Sequence, residues 1–151
     1  MLDDFGHLIF PPRMRILRPL RIKRLPTGPW LTRRSMQWFW DRYLPDQEKR
    51  KEPTASPSLA SLKQLEGLPR ALIITAENDV LRDEGEAYGR KLIEAGVEVV
   101  MTRYNAAIHD FLLLNALAAS APSRAAATQA INFLQETLTL GITGSGISFN
   151  K

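Results

Sequence analysis

Residues 71–104 read ALIITAENDVLRDEGEAYGRKLIEAGVEVVMTRY and have the pattern of a strand, a helix and a second strand. The run ALIITA is apolar throughout, which is typical of a strand covered on both faces, as in a parallel sheet. Asp83 is a candidate N-cap for the helix, and Gly96 is a candidate for its C′ position. VEVVMTRY, residues 97–104, predicts the second strand. We therefore expect a βαβ unit with parallel strands and a right-handed crossover.

Two polar residues follow these strands, at the end of a parallel sheet where functional groups collect. Asp79 comes shortly after ALIITA, and His109 lies in a loop predicted for residues 105–111. A carboxylate there can fix one ring nitrogen of a histidine while the other nitrogen takes a proton, which is the acid–base half of a nucleophilic triad. Taken alone, such a histidine is more often structural, such an aspartate is often a cap, and Glu77 competes for the acid role.

The segments on either side of this unit predict two more helices. Thr32 is a plausible N-cap and Pro45 a plausible stop for a helix whose apolar side chains form one stripe: Met36, Phe39, Trp40 and Tyr43. This stripe is consistent either with a core helix or with the wall of an apolar substrate cleft. After a polar loop at residues 45–61, the unit is followed by a last helix from Ser120 or Pro122, with an inner face of Ala127, Ile131, Leu134 and Leu138.

Composition excludes several kinds of site. The 151 residues contain no cysteine and two histidines, which excludes disulfides, thiolate metal sites and a histidine cluster for zinc. No apolar run is long enough for a membrane span, and the N-terminus does not resemble a secretory signal. We expect neither cofactor nor metal, and a cytoplasmic location.

The net charge of +4 is concentrated in RMRILRPLRIKR, residues 13–24, within an irregular arm predicted for residues 1–27. Such a run can bind nucleic acid or an anionic membrane. We favour a solvated arm, without a nucleic-acid partner, because Pro19 interrupts any helix and no aromatic residues lie between the basic ones.

The quoted stretch, together with RYNAAIHDF at residues 103–111, resembles the C-terminal signature of the hormone-sensitive-lipase-like α/β-hydrolases, in their esterase and acetyl-hydrolase branch. WLTRRSMQWFWDRYLPD is similar to the segment between the catalytic halves of that family, so the likeness covers residues 28–138. The resemblance implies an α/β fold, namely the C-terminal part of a hydrolase sheet with two parallel strands and flanking helices. It also implies a small-molecule ester substrate, with Asp79 as the triad acid and His109 as the base. Weaker candidates for substrate binding are Trp38, Phe39 and Phe111.

The sequence departs from that family in the parts that should attack the ester. It contains no Gly-x-Ser-x-Gly and no His-Gly-Gly-Gly, and Ser145, which lies between two glycines, comes after His109 rather than before it. Ala106 stands where the family often has glycine. Since loss of a triad member or an oxyanion donor costs orders of magnitude in rate, we expect this isolated chain to be inactive. The expected organisation is the arm, a partial hydrolase domain at residues 28–140 and a flexible tail at 141–151. Within the domain, residues 28–45 form a cap-like helix and residues 70–138 carry the Asp/His portion.

Two other functions remain open from the sequence. The chain could be a non-enzymatic module whose basic arm docks to an acidic partner or a membrane. It could also be an α/β enzyme that binds a phosphate or nucleotide, although neither Gly-x-Gly-x-x-Gly nor Gly-x₄-Gly-Lys-Ser/Thr occurs in it.

Overall fold

The computed structural model describes residues 28–144, which divide into two compact units, one ending at His109 and the other beginning at Asp110. The predicted basic arm and residues 145–151 of the predicted tail lie outside the described residues. In the described part, no helix combines the length and the apolar character that crossing a bilayer requires.

The first unit contains the predicted βαβ arrangement. Strand β1 (Ala71–Asn78) pairs in parallel with β2 (Val99–Ile108), and helix α3 (Arg82–Glu94) connects them. The two strands form a two-stranded sheet, with Ala71 opposite Val99 at its start. The α/β fold class expected from the sequence is therefore confirmed.

The limits of both strands differ from those predicted. β1 continues two residues past ALIITA, to Asn78. β2 begins at Val99 rather than Val97 and runs to Ile108, so most of the predicted loop at residues 105–111 is strand. The strand pairing shifts register between Ala76 and Asn78. This shift allows β2 to continue beside β1 past Tyr104, where the apolar pattern of β2 ends.

The core of this unit lies between α3 and the sheet. Tyr88 and Leu92 are buried in a cluster of apolar residues, which also includes Ala60, Leu65 and Val97. Gly89 allows the close approach of helix and sheet, because a Cβ at this position would lie 2.8 Å from Cδ1 of Ile73. Gly96 adopts φ +82° directly after the helix, as predicted for a C′ residue.

The start of α3 differs from the prediction. Asp83 was expected to be the N-cap, but the helix begins at Arg82 with Leu81 as N-cap, and no side chain caps it. The carboxylate of Asp83 instead accepts hydrogen bonds from Nε and Nη2 of Arg82, at 2.8 and 2.7 Å. Asp83 lies in the first turn, where an acidic residue still favours the helix dipole.

Helix α1 (Arg33–Tyr43) has Thr32 as its N-cap, as predicted, with a capping box between Thr32 and Ser35. The stripe on α1 does not have the burial of a core helix, because in the described residues only Trp40 of this helix is buried. Phe39 and Tyr43 are exposed. Arg50, which follows the helix, lies over the Trp40 ring, 5.4 Å from its centroid.

The predicted polar loop at residues 45–61 contains short helical turns. Two 3₁₀ turns occupy Lys49–Lys51 and Pro57–Leu59, and helix α2 (Leu62–Leu65) follows. Ser56 is fully buried, and its hydroxyl donates to the carbonyl of Arg50 at 2.6 Å. This hydrogen bond joins the first 3₁₀ turn to the residue before the second, within the segment that precedes β1.

The second unit contains a 3₁₀ turn (Asn115–Leu117) and the long helix α4 (Ala121–Gly144). Ala126 and Ser123 are buried near the start of α4. Three residues predicted for its inner face are exposed: Ile131, Leu134 and Leu138. The helical period located the helix correctly, but burial of an apolar face also requires a covering surface. The helix continues to Gly144, so residues 141–144 of the predicted tail are helical.

Candidate active site

Asp79 and His109 each follow a strand by one residue, at the carboxyl end of the sheet. Nδ1 of His109 lies 2.8 Å from Oδ2 of Asp79. Both side chains are largely buried, with exposed fractions of 12% for His109 and 11% for Asp79. The structure thus brings together the two residues that the sequence suggested as acid and base.

The turn after β1 fixes the orientation of the Asp79 carboxylate. The backbone N–H of Leu81 donates to Oδ1 of Asp79 at 2.8 Å, and the N–H of Arg82 donates to the Asp79 carbonyl at 3.3 Å. This leaves Oδ2 directed at His109. An ionised carboxylate can only accept, so Nδ1 of His109 carries the proton in this contact and Nε2 is the nitrogen that can accept one.

Glu77, the other candidate for the acid, has a different contact. Its Oε2 accepts the backbone N–H of Ala106 at 2.8 Å. Ala106 has φ +62° and Asp110 has φ +60°, so two left-handed residues flank the histidine. The geometry therefore gives Glu77 a contact with the backbone of the histidine segment, and Asp79 the contact with the imidazole.

Arg82, the first residue of α3, is a buried cation. Its exposed fraction is 3%. Nη1 donates to the Glu77 carbonyl at 2.5 Å, while the same guanidinium binds Asp83. Arg82 therefore links the end of β1 to the start of α3. The sequence indication of this role was the position of a single arginine between Asp79 and Asp83.

Two further carboxylates on α3 have shifted pKa values. Burial raises the pKa of Glu84, whose carboxylate accepts from the Ser58 hydroxyl at 3.1 Å. Hydrogen bonding to Arg103 lowers the pKa of Glu86, with both carboxylate oxygens 2.6 Å from guanidinium nitrogens.

The aromatic candidates for substrate binding do not form one buried pocket wall. Trp38 and Phe39 lie edge to face, with ring centroids 5.2 Å apart, and about half of each side chain is exposed. Phe111 belongs to the second unit, where it is buried and its carbonyl accepts from the hydroxyl of Ser123 at 2.7 Å. Whether any of the three contacts substrate stays a prediction.

The hydroxyls of the described serines take part in structural hydrogen bonds at Ser35, Ser56, Ser58, Ser61, Ser120 and Ser123. Within residues 28–144, no group of three or more histidine, aspartate or glutamate side chains is arranged to hold a metal ion. The described chemistry of this site is therefore that of one carboxylate and one imidazole.

Comparison with known proteins connects this geometry to a family. Residues 6–113 match the model of a family described as alpha/beta hydrolase fold. The chain is similar to an alpha/beta hydrolase of Acanthamoeba polyphaga mimivirus, with 34% identity over 87% of this chain and 38% of that protein. It is also similar to the ethyl acetate hydrolase of Pseudomonas putida, with 32% identity over 73% of this chain and 34% of that protein.

A solved structure gives the same result. The crystal structure of a thermostable esterase from Pseudomonas putida ECU1011 superposes with a TM-score of 0.70 and 54% identity. The superposition covers 72% of this chain and 34% of that one. The chain spans about a third of the length of these relatives.

Proposed function

This chain belongs to the α/β-hydrolase fold family, and we propose from that premise that it carries the acid and the base of a serine-dependent carboxylic ester hydrolase. The observation that supports the proposal most directly is the 2.8 Å contact between Nδ1 of His109 and Oδ2 of Asp79. The similarity to an esterase and to an ethyl acetate hydrolase supports a small-molecule ester as the substrate class.

In this proposal each residue has one role. His109 Nε2 takes the proton of a serine hydroxyl as the serine oxygen attacks the ester carbonyl, and later gives that proton to the leaving alcohol. Asp79 keeps the proton on Nδ1 and stabilises the imidazolium that forms. The second half of the reaction repeats these transfers with water, which regenerates the serine hydroxyl and releases the acid.

The nucleophile is the part that these 151 residues do not supply, since no Gly-x-Ser-x-Gly occurs in them. We therefore propose that the chain by itself does not turn over esters. The non-enzymatic alternative rests on the basic arm at residues 13–24. It has less support, because the family match begins at residue 6 and so includes that arm.

The test is a chimera in which the matching segment of the Pseudomonas putida esterase is replaced by residues 71–113 of this chain. We expect the chimera to hydrolyse a short-chain nitrophenyl ester, and Asp79→Asn within it to lower kcat on the order of 10⁴-fold. His109→Ala should lower kcat by a comparable or larger factor. Glu98→Ala is the matched control, because Glu98 directly precedes β2, at the opposite end of the strands from Asp79 and His109.

The isolated chain is assayed beside the chimera, and we expect no turnover above that of its His109→Ala variant. Turnover by the isolated chain that His109→Ala removes would contradict its proposed inactivity. A folded, active chimera that is indifferent to Asp79→Asn and His109→Ala would contradict the roles given to both residues.

A further inference from the structure

The pairing of the two strands changes register just before the site. From Ala71–Val99 to Ala76–Tyr104, each partner lies 28 positions further along the chain, whereas Asn78 pairs with Ile108, 30 positions further. Glu77 alone therefore faces residues 105–107. This is a bulge with two extra residues in β2, and bulges of this kind re-aim side chains beside active sites.

The size of the bulge matches the separation of the acid and the base. Asp79 and His109 are 30 residues apart, which is the register that holds after the bulge and not the one before it. In the earlier register, the residue level with Asp79 would be Ala107. Because side chains alternate along a strand with a period of two, a two-residue shift moves His109 to the level of Asp79 without changing the face on which side chains project.

The side chain of Glu77 compensates for the interrupted ladder at the bulge. Its Oε2 accepts the N–H of Ala106 at 2.8 Å, in the middle of the inserted residues. Ala106 is held at φ +62°, a conformation that is unfavourable for a residue with a Cβ. The backbone of the bulge is therefore strained at Ala106, and the hydrogen bond to Glu77 stabilises Ala106 in this conformation.

Glu77 is itself held in place through its backbone. The buried guanidinium of Arg82 donates to the Glu77 carbonyl at 2.5 Å and is held in turn by the carboxylate of Asp83. Both ends of Glu77 are thus engaged, its carbonyl toward α3 and its carboxylate toward β2.

We propose that Glu77 is a positioning residue whose carboxylate stabilises the two-residue bulge in β2 and so sets His109 beside Asp79. The inference rests on the proposed function for its importance in ester hydrolysis. It concerns the register of the pair, however, and can be tested without turnover.

The test is NMR spectroscopy of the His109 ring in the full chain. The sequence has only one other histidine, His7, so His7→Asn leaves a single imidazole to observe. We expect a downfield Nδ1 proton signal in this background, protected by the bond to Asp79. Glu77→Ala should make the exchange of that proton with water about tenfold faster, or broaden it beyond detection, since it leaves the Ala106 N–H without its charged acceptor.

Two companion variants separate positioning from a general loss of structure. Glu77→Gln retains a side-chain oxygen that can accept from Ala106, so most of the protection should return. Ala106→Gly added to Glu77→Ala should restore part of it, because glycine adopts positive φ without a steric cost. Glu98→Ala, which removes a carboxylate from the other end of the strands, should leave the signal unchanged.

A folded Glu77→Ala variant with an unchanged His109 signal would overturn the inference. If Glu77→Ala does not fold, the Gln variant decides: a protected signal supports positioning, and a lost signal in a folded chain contradicts it. Absence of the downfield Nδ1 proton signal in the parent chain would contradict the hydrogen bond between His109 and Asp79, and the inference with it. Activity of the chimera, measured separately, decides the proposed function.

Discussion

Two regions of the molecule differ in the contacts that hold their side chains: the corner made by Glu77, Asp79 and His109, and helix α1. At the corner, carboxylates bind the imidazole and backbone N–H groups of neighbouring segments, and the reactive side chains are nearly buried. On α1, the capping box and the Arg50 contact are local, and Trp38 and Phe39 remain exposed in the described structure. The printed-distance contacts of the acid–base pair, from Leu81 and between Asp79 and His109, lie within the βαβ unit and its strand ends, whereas Trp38 and Phe39 of α1 are not buried by that unit.

The sharpest way to break this contrast is to remove one apolar side chain from the core of the βαβ unit that supports the corner and one from α1. Leu92 is 4% exposed and lies in the core beneath the sheet, so Leu92→Ala should cost about 2–5 kcal/mol of unfolding free energy. Phe39 is 52% exposed, so Phe39→Ala should cost about 0.5 kcal/mol or less. Hydrogen exchange of β1 amides, measured over a range of urea concentrations, reports both values. Equal costs would show that α1 is as firmly packed as the core.

The same contrast explains which features the sequence could predict. The strands and α3 were predicted because apolar runs and helix signals are local. Asp79 and His109 were proposed as acid and base because both follow strands and both match the family signature. The bulge was missed because no residue type marks two additional positions in β2, and the end of β2 was therefore misplaced. Asp83 was taken for an N-cap because the competing contact with Arg82 depends on side-chain placement.

Burial was the least predictable property. The helical period of Met36, Phe39, Trp40 and Tyr43 correctly located α1, but only Trp40 is buried. A period defines which residues share a face, and it contains no information on whether another surface covers that face. The same reasoning applies to the exposed residues of α4, whose inner face was also predicted from period alone.

A smaller effect should follow from removing the N-cap of α1. Thr32→Ala should cost about 1 kcal/mol, because it leaves the Ser35 N–H without the Thr32 hydroxyl at the helix start. We expect amide exchange to become several-fold faster within α1 and to be unchanged in β1 and β2. Ser61→Ala is the matched control, since Ser61 forms the corresponding capping box of α2. A change in the amide exchange rates of β1 or β2 in Thr32→Ala, in either direction, would contradict the independence of the two regions.

The smallest expected effects concern two carboxylates on α3 that respond to pH in opposite directions. The pKa of Glu86 is lowered from its ordinary value of 4.5 by Arg103, so its stabilising contribution is complete above pH 4.5 and is lost as the pH falls through the lowered value. Glu86→Gln should be less stable than the parent at pH 7 by about 1 kcal/mol or less, because Arg103 is partly exposed to solvent. This deficit should shrink below pH 4.5.

Glu84 provides the opposite case two residues earlier on the same helix. Burial raises its pKa above 4.5, so the folded state is penalised for the ionised carboxylate at neutral pH, and the penalty disappears as the pH falls to 4.5. Glu84→Gln keeps an acceptor for the Ser58 hydroxyl and removes the charge, so it should be more stable than the parent at pH 7 and lose that advantage near pH 4.5. Urea unfolding from pH 3.5 to 7.5 measures both variants against the parent chain. If the two differences have the same sign at pH 7, the opposing roles of burial and the Arg103 contact on α3 are wrong.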